Sequence, residues 1–171
     1  DAKGLLLTAF EDPNPVMFFE HKKLYRSITQ SVPTAYYTIP FGKANKVSHG
    51  LDLTIVTYGM GVHWATKTLD ELPHISADLI DLRTLAPLDY EMIYESVKLT
   101  GKLIVLHEDP ATGGVGGEIV TRVQEECFFE LDAPIKRIAS LDTPIPFAEV
   151  LENNFMANKD LKEEIEKMMN Y

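Results

Sequence analysis

The residues best suited to acid–base chemistry in this sequence are the adjacent pair His107 and Glu108. They follow the apolar run Leu103–Leu106, whose continuous hydrophobicity predicts a strand buried on both faces of a parallel sheet. An imidazole and a carboxylate can exchange protons with a substrate, and open α/β sheets place such groups at the carboxyl ends of their strands. The alternative is a strand-end pair that hydrogen-bonds a neighbouring loop or subunit, and we favour this structural interpretation.

A glycine-rich loop, Gly113–Gly117, follows these two residues and leads into an apolar repeat that is typical of a helix. Backbone N–H groups at a helix N-terminus can bind an anion such as phosphate. The loop lacks the Lys-Ser/Thr pair of a Walker loop and the spacing of a dinucleotide-binding loop, and Glu118 in the first helical turn would repel a phosphate. We therefore favour glycines that allow tight turning and close packing, with an anion site as the alternative.

The other reactive side chains do not form a recognisable catalytic or metal-binding set. The five histidines show no metal-ligand spacing within one predicted element, and no serine lies in a nucleophile elbow. Ser48, His49 and Asp52 are neighbours in sequence, which is not the geometry of a catalytic triad, and we assign them to a linker. Arg83 follows Asp81 and is expected to form a structural ion pair.

The composition indicates a globular chain of one main domain with an additional segment. The 171 residues include 16 Lys and Arg against 26 Asp and Glu, a net charge of −10, which argues against nucleic acid or a membrane surface as the main partner. No apolar run approaches the length of a membrane span, and no signal peptide opens the sequence. The single cysteine, Cys127, is expected to be a small core residue, which fits a reducing, cytoplasmic compartment.

Strands alternate with helices from residue 51 onward, which predicts a parallel sheet covered by helices on both faces. The predicted strands are Leu53–Thr57, Ile75–Leu82, Leu103–Leu106 and Ile135–Ala139, with an edge strand near Ala44–Val47. Among the predicted helices, one is capped by Asp89, and the last is capped by Asn158 with Leu161, Ile165 and Met168 facing inward. The predicted fold class is α/β, a three-layer α/β/α arrangement with a mostly parallel sheet.

The first part of the chain has a different organisation. A helix is predicted to begin near Asp1 and to end before Pro13, and a strand is predicted over Val16–Glu20. A lone helix and strand cannot bury their apolar faces, so we interpret residues 1–30 as the C-terminal remnant of a preceding domain. Residues 31–43 are predicted to be a linker, and residues 44–171 the main domain.

Several stretches resemble one protein family. Asp81–Asp89, which reads Asp-Leu-Arg-Thr-Leu-Ala-Pro-Leu-Asp, resembles a signature of the transketolase-type C-terminal domain. His107–Pro110, together with the glycines and Glu118-Ile119 that follow, resembles the matching block of 2-oxoacid dehydrogenase beta subunits. The stretches 14–26 and 133–146 continue the resemblance, in which residues 1–30 are similar to the end of the pyrimidine-binding domain.

This resemblance implies the thiamine-diphosphate-dependent decarboxylating component of a 2-oxoacid dehydrogenase complex. The stretch 123–128 and the ending 168–171 are most similar to branched-chain (2-oxoisovalerate) members, with pyruvate and acetoin members as alternatives. An alternative from a different class is a free-standing anion-binding α/β module that uses Gly113–Gly117.

The resemblance also implies which parts of the active site lie elsewhere. In this family the glutamate that activates the cofactor lies upstream of Asp1, and the alpha subunit, or its fused equivalent, binds the diphosphate and magnesium. Thiamine diphosphate and magnesium are therefore expected in the parent enzyme, in the cytoplasm or the mitochondrial matrix. This chain is expected to contain no catalytic residue beyond the weak candidates His107 and Glu108, to bind neither cofactor nor metal, and to be inactive alone.

Three partners are implied: a second copy in a homodimer, the alpha subunit, and the docking domain of an acyltransferase. Self-association is also favoured by apolar residues that the first 30 residues leave exposed unless they are covered, namely Leu5, Leu6, Val16, Phe18 and Phe19. The acidic surface would suit a basic docking domain. Asp132 and the carboxylate at Tyr171 are the residues that we assign to that contact.

Overall fold

A five-stranded sheet organises the protein, and the computed structural model describes all of it, residues 1–171. The strands are β1 (Asn45–Ser48), β2 (Leu53–Thr57), β3 (Ala77–Asp81), β4 (Leu103–Pro110) and β5 (Lys136–Ser140). Their order across the sheet is β1-β3-β2-β4-β5. The four longer strands run parallel, whereas the edge strand β1 runs antiparallel to β3. The predicted fold class, a mostly parallel α/β sheet, is confirmed.

Helices connect the strands and cover the sheet. They are α1 (Ala2–Glu11), α2 (Leu24–Ser27), α3 (Met60–Asp70), α4 (Tyr90–Thr100), α5 (Gly116–Glu126), α6 (Glu149–Phe155) and α7 (Leu161–Met168), with 3₁₀ turns at Phe128–Glu130 and Ala157–Asp160. The side chain of Asp89 caps α4 by accepting a hydrogen bond from Met92 N, as the sequence predicts. None of these helices combines the length and the hydrophobicity that spanning a membrane requires.

Two apolar layers, one on each face of the sheet, form the core. On one face, Leu53 and Ile55 of β2 pack with residues of α3 and α7. On the other face, Val56 of β2 packs with residues of α4 and α5. Cys127 is fully buried in this second layer, which confirms that it is a small core residue. Because successive strand residues point to opposite faces, an apolar run along each central strand supplies both layers.

A buried polar network lies between the sheet and α4. The Thr54 hydroxyl is 2.7 Å from the hydroxyls of both Ser96 and Thr100 on α4. Asp78 on β3 accepts a hydrogen bond from the Ser96 hydroxyl. It also forms an ion pair with Lys46 on β1, in which Nζ lies 2.6 Å from Asp78 Oδ2. The edge strand β1 is therefore attached to the sheet by a side-chain network as well as by its backbone ladder.

The N-terminal segment is less regular than the sequence predicts. Helix α1 is present, but the predicted strand Val16–Glu20 is wrong: these residues form no ladder, because no strand of the chain lies beside them. Of the five apolar residues predicted to be exposed unless they are covered, Leu5 is buried, Val16 and Phe18 are half-buried, and Leu6 and Phe19 are exposed. Residues of the predicted linker cover this part of the helix, since a Cβ at Gly4 would lie 2.7 Å from side-chain atoms of both Tyr37 and Ile39.

The C-terminal part contains an element that the sequence pattern does not predict. Helix α6 precedes the last helix, and α7 begins at Leu161, after a 3₁₀ turn. The prediction that Asn158 caps the last helix is therefore wrong, because Asn158 lies inside this turn. The predicted inward face of α7 is confirmed, since Leu161, Ile165 and Met168 are all buried.

Candidate functional site

The carboxyl edge of the sheet is where open α/β folds place their binding sites, and His107 lies there, near the end of β4. Its side chain is completely buried, and Nδ1 donates a hydrogen bond to the carbonyl oxygen of Asp109 at 3.1 Å. Nε2 is buried without a hydrogen-bond partner. Burial lowers the pKa of His107, so the neutral imidazole is favoured. Because the imidazole is completely buried, it is not accessible to a substrate in this conformation.

Glu108 is the next residue on the strand, so its side chain points to the opposite face from His107. Its carboxylate Oε2 accepts a hydrogen bond from Nε2 of His21 at 2.9 Å. The two side chains are 36% and 29% exposed, respectively. The structure therefore does not bring His107 and Glu108 together. It forms the partly exposed pair His21–Glu108 instead, which is the acid–base candidate with access to solvent at this edge.

A second polar contact at this edge joins the ends of β2 and β4. The hydroxyl of Tyr58, directly after β2, donates a hydrogen bond to Asp109 Oδ2 at 2.5 Å. Desolvation, and then the bond to Asp109, raise the pKa of Tyr58 well above its usual value, so the phenol stays protonated. Sequence reasoning missed Tyr58, although its position after a predicted strand places it at the edge.

The glycine-rich loop is shaped by close packing on His107. Gly113 adopts a left-handed φ of 79°. A Cβ at Gly114 would lie 2.5 Å from His107 Cε1, and a Cβ at Gly116 would lie 2.5 Å from His107 Nε2. Gly117 has more space, because the nearest atom to its Cβ would be 3.7 Å away. Gly114 and Gly116 thus allow the loop and the start of α5 to close over the imidazole.

The polar groups around this loop are engaged within the chain and do not fit a diphosphate. Arg137 Nη1 donates to the carbonyl oxygen of Ala111 at 2.9 Å. Asp142 accepts hydrogen bonds from both the backbone N–H and the hydroxyl of Thr112, and these bonds lower the pKa of its carboxyl. The carboxylates of Asp142 and of Glu118, in the first turn of α5, would both oppose an incoming anion. No group of three or more His, Cys, Asp or Glu side chains is arranged to hold a metal ion.

The two residues assigned to a docking contact are both exposed. Asp132 lines a shallow groove of about 310 Å³ together with Phe128, Leu131 and Pro134. Its backbone N–H donates to the carbonyl oxygen of Gly101, which holds this turn against the end of α4. Tyr171, the C-terminal residue, is 69% exposed.

The remaining polar candidates from the sequence have structural partners. Asp52 accepts a hydrogen bond from Ser76 N at 2.7 Å, and the Ser48 hydroxyl donates to Ala77 O at 2.8 Å, so neither forms a triad with His49. The structural ion pair expected of Arg83 is confirmed, but its partner is not the neighbouring Asp81. The guanidinium of Arg83 reaches Asp1 instead, and only its backbone N–H contacts Asp81.

The order of elements, the parallel sheet and this edge can be compared with known families. The sequence matches the family described as "Transketolase, C-terminal domain" over residues 42–160. The chain belongs to this family. The matched range contains all five strands of the sheet and the helices α3–α6. The transketolase C-terminal fold also agrees with a similar solved structure, "Split gene transketolase, inactive beta4 tetramer", at a TM-score of 0.67 and 25% identity. That alignment covers 85% of this chain and 47% of the other.

Curated proteins with similar sequences are named as beta subunits of dehydrogenases. The chain is 46% identical over 163 residues to 2-oxoisovalerate dehydrogenase subunit beta of Bacillus subtilis, covering 94% of this chain and 50% of that protein. It is 43% identical to pyruvate dehydrogenase E1 component subunit beta of the same organism, in an alignment that covers 100% of this chain and 53% of that protein. It is 44% identical to the mitochondrial 2-oxoisovalerate dehydrogenase subunit beta of Dictyostelium discoideum, in an alignment that covers 100% of this chain and 47% of that protein. The chain thus spans about half the length of the curated relatives that it matches.

Proposed function

We propose that this chain is the C-terminal part of the beta subunit of a 2-oxoacid dehydrogenase of the branched-chain type. The observation that carries the proposal is the similarity along nearly the whole chain to 2-oxoisovalerate dehydrogenase subunit beta, at 46% identity. The parent enzyme would oxidatively decarboxylate a branched-chain 2-oxoacid and transfer the acyl group to a lipoyl arm. A pyruvate dehydrogenase is the second candidate, because that relative is 43% identical over the full chain.

Within the parent enzyme, this chain would serve assembly rather than chemistry. Residues 1–30 would be the end of the pyrimidine-binding domain, residues 31–43 the linker, and residues 44–171 the transketolase-type C-terminal domain. The exposed apolar side chains Phe10, Met17 and Phe19, which are 78–86% exposed, support this division, since a preceding domain would cover them. The weak catalytic candidates His107 and Glu108 are engaged with the Asp109 carbonyl and with His21.

Thiamine diphosphate and magnesium would be bound by other parts of the parent enzyme. The carboxylates beside the glycine-rich loop and the engaged Arg137 support this assignment. The partners would be a second copy of this chain, the alpha subunit or its fused equivalent, and a basic docking domain of the acyltransferase that contacts Asp132 and Tyr171. That last contact would weaken with salt and with Asp132→Asn, because opposite charges would guide it. The compartment would be the cytoplasm or the mitochondrial matrix.

The experiment compares the full-length parent protein with the 171-residue chain. With the alpha subunit, thiamine diphosphate and magnesium, the parent should decarboxylate 2-oxoisovalerate with a higher kcat/KM than pyruvate. The chain alone should be inactive, and its Tm should not rise with thiamine diphosphate and magnesium. Binding at a ligand concentration about a hundred times Kd would stabilise it by about 2.7 kcal/mol, so a clear rise contradicts the cofactor assignment.

The other outcomes also decide between the candidates. A preference for pyruvate would assign the parent to the pyruvate dehydrogenases, and a preference for acetoin to the acetoin dehydrogenases. Inactivity of the reconstituted parent toward every 2-oxoacid and toward acetoin would contradict the dehydrogenase function. Micromolar binding of inorganic phosphate to the chain, measured by calorimetry, would support the anion-binding module instead.

A further inference from the structure

The loop between β3 and α4 contains the Asp81–Asp89 signature, and three of its polar residues, Arg83, Thr84 and Asp89, have partners far away in the sequence. They contact the first 44 residues of the chain. We propose that this loop is a brace that positions the N-terminal segment on the carboxyl edge of the sheet, with Arg83 as its positioning residue. The inference concerns contacts within this chain and goes beyond the proposed assembly role, whichever 2-oxoacid the parent uses.

The first contact is a two-pronged ion pair between Arg83 and the start of α1. Arg83 Nε donates to Asp1 Oδ2 at 2.9 Å, and Nη2 donates to Asp1 Oδ1 at 2.8 Å. The guanidinium side chain is 17% exposed and the carboxylate side chain 43% exposed. A planar guanidinium that forms two parallel bonds fixes direction as well as distance, which a single ammonium cannot do.

The backbone of Arg83 is held in an unusual conformation that aims this side chain. Its φ is 57°, in the left-handed region. Arg83 is the only residue of this chain other than glycine with a positive φ. Its N–H donates to Asp81 Oδ1 at 3.0 Å, so the carboxylate at the end of β3 supports the turn. A non-glycine residue persists in this region where the surrounding contacts over-determine it, which is typical of functional positions.

Two further residues of the loop hold the other end of the N-terminal segment. The hydroxyl of Thr84 accepts a hydrogen bond from Gly42 N at 3.0 Å. The carboxylate of Asp89, which is buried, accepts one from Ala44 N at 3.0 Å while its second oxygen caps α4. The loop thus binds the segment at its first residue and again where it enters the sheet.

The segment between these contacts is closed by its own hydrogen bonds. The Thr8 hydroxyl donates to the carbonyl oxygen of Ile39 at 2.6 Å, and Ile39 N donates to Gly4 O at 3.2 Å. Lys3 Nζ donates to the carbonyl oxygens of Pro33 and Ala35 at 2.6 and 2.8 Å. Because α1 and the linker form one unit, fixing its two ends to the loop fixes the position of the whole unit.

The test measures amide hydrogen exchange of α1 and of the central strands β2 and β4 in the full chain. Arg83→Gly keeps the left-handed backbone, which glycine adopts freely, and removes the guanidinium. We expect exchange of α1 to rise about tenfold, since hydrogen bonds to charged groups are the stronger ones, while exchange of β2 and β4 stays unchanged. Arg83→Lys should give a smaller rise, because a lysine cannot form both bonds.

Two further variants separate a brace from a local structural effect. Asp1→Asn should raise α1 exchange in the same way, and combining it with Arg83→Gly should add little, because both remove one interaction. Arg122→Gln is the matched control, since Arg122 pairs with Glu118 on the surface of α5 and should leave α1 unchanged. Unchanged α1 exchange in the Arg83 variants, additive effects of the two substitutions, or an equal rise in β2 and β4 would overturn the proposal.

Discussion

Gly116 lies against the imidazole of His107, so the effect of a methyl group there follows from geometry. A Cβ at this position would lie 2.5 Å from His107 Nε2 and 2.7 Å from Cδ2. Because the ring is completely buried, it has no free space to move into. We expect Gly116→Ala to lower the free energy of unfolding by about 2 kcal/mol, as overpacking typically does, measured by urea denaturation.

Gly117 provides the matched control in the same helical turn. Its φ is not positive, and a Cβ would come no closer than 3.7 Å to Arg137 Nη1. Alanine is the better helix former, so Gly117→Ala should be neutral or should stabilise by up to about 1 kcal/mol. The structure thus gives two physical reasons for glycine in this loop. Gly114 and Gly116 pack closely against His107, and Gly113 adopts a left-handed backbone conformation. Equal effects of the two alanine substitutions would contradict this explanation.

His107 should make the stability of the protein depend on pH. Burial lowers its folded-state pKa below the unfolded value of 6.5, so the folded protein binds the proton less well than the unfolded chain. The stability that the protein gains from keeping His107 neutral is fully present above pH 6.5. It is lost as the pH falls from 6.5 through the pKa of His107 in the folded protein. The expected loss is at most about 1.4 kcal/mol per pH unit over that interval.

The measurement compares unfolding free energies between pH 7.5 and pH 5.5 in the native protein and in His107→Asn. Asparagine can still donate to the Asp109 carbonyl but does not titrate, so the variant should lose less stability on acidification. His74→Asn, at an exposed position, should follow the native curve. If the native protein and His107→Asn show parallel pH profiles, the buried imidazole does not cause the dependence.

The sequence predicts single residues well where they depend on one local element, and poorly where they depend on a distant one. His107 at a strand end and Asp89 at a helix cap are set by neighbours in sequence. The partners His21 and Glu108, by contrast, are 87 residues apart, and Arg83 and Asp1 are 82 apart. Periodicity contains no information about such pairs, because they form only when the whole chain is folded.

At the level of elements, Lys46 links the edge strand β1 to the interior. Its ammonium lies 2.6 Å from Asp78 Oδ2, and the Asp78 side chain is 2% exposed. Removing the cation would leave a nearly buried carboxylate without its ion partner, which costs more than losing a surface pair. We expect Lys46→Met to reduce the free energy of unfolding by about 2 kcal/mol, below the fully buried case because the Lys46 side chain is 25% exposed.

Hydrogen exchange of β1 would show whether this loss is local to the edge strand. Protection of β1 should fall more than that of β2, which is paired on both sides by β3 and β4. Lys167→Met is the control, because Lys167 pairs with Glu163 and Glu164 on the outer face of α7 and should have little effect. A Lys46→Met protein as stable as the native one would show that Asp78 does not need the ammonium in addition to its contacts with Ser96 and His49.

Elements with a strong period were predictable, and elements defined by their partners were not. The central strands are continuous apolar runs, and α5 and α7 repeat apolar residues at helical spacing, so their type follows from the sequence. Val16–Glu20 has the composition of a strand but no strand beside it, and a strand requires one. Helix α6 leaves Val150 and Leu151 exposed, so it lacks the buried stripe that marks an amphipathic helix.

At the level of the whole molecule, the exposed apolar side chains include three groups. The first is on the N-terminal segment and includes Phe10 and Phe19, and the second surrounds the groove with Phe128 and Phe129. The third lies on and before α6 and consists of Ile145, Phe147, Val150 and Leu151. A preceding domain would cover the first, and a docking domain beside Asp132 would use the second. The third surface is therefore the one that we assign to a homodimer, since apolar area of this kind favours symmetric pairing.

The net charge of −10 opposes such pairing, but only over short distances. At about 0.15 M salt the Debye length is about 8 Å, so repulsion between distant carboxylates is screened while contact burial is not. We expect light scattering to show a dimer at high micromolar concentration, with dissociation favoured at low salt. Phe147 is fully exposed, and Phe147→Asp should yield a monomer because the new carboxylate would be buried in the interface.

Phe129→Asp is the matched control for this prediction, because Phe129 is 94% exposed and the charge change is the same. It lies beside the groove rather than on the α6 surface, so the dimer should persist. Phe10→Asp should also leave the dimer intact if the N-terminal surface belongs to contacts within the parent subunit. A monomeric native chain would refute the homodimer. A dimer that survives Phe147→Asp and dissociates with Phe10→Asp would instead place the pairing surface on the N-terminal segment.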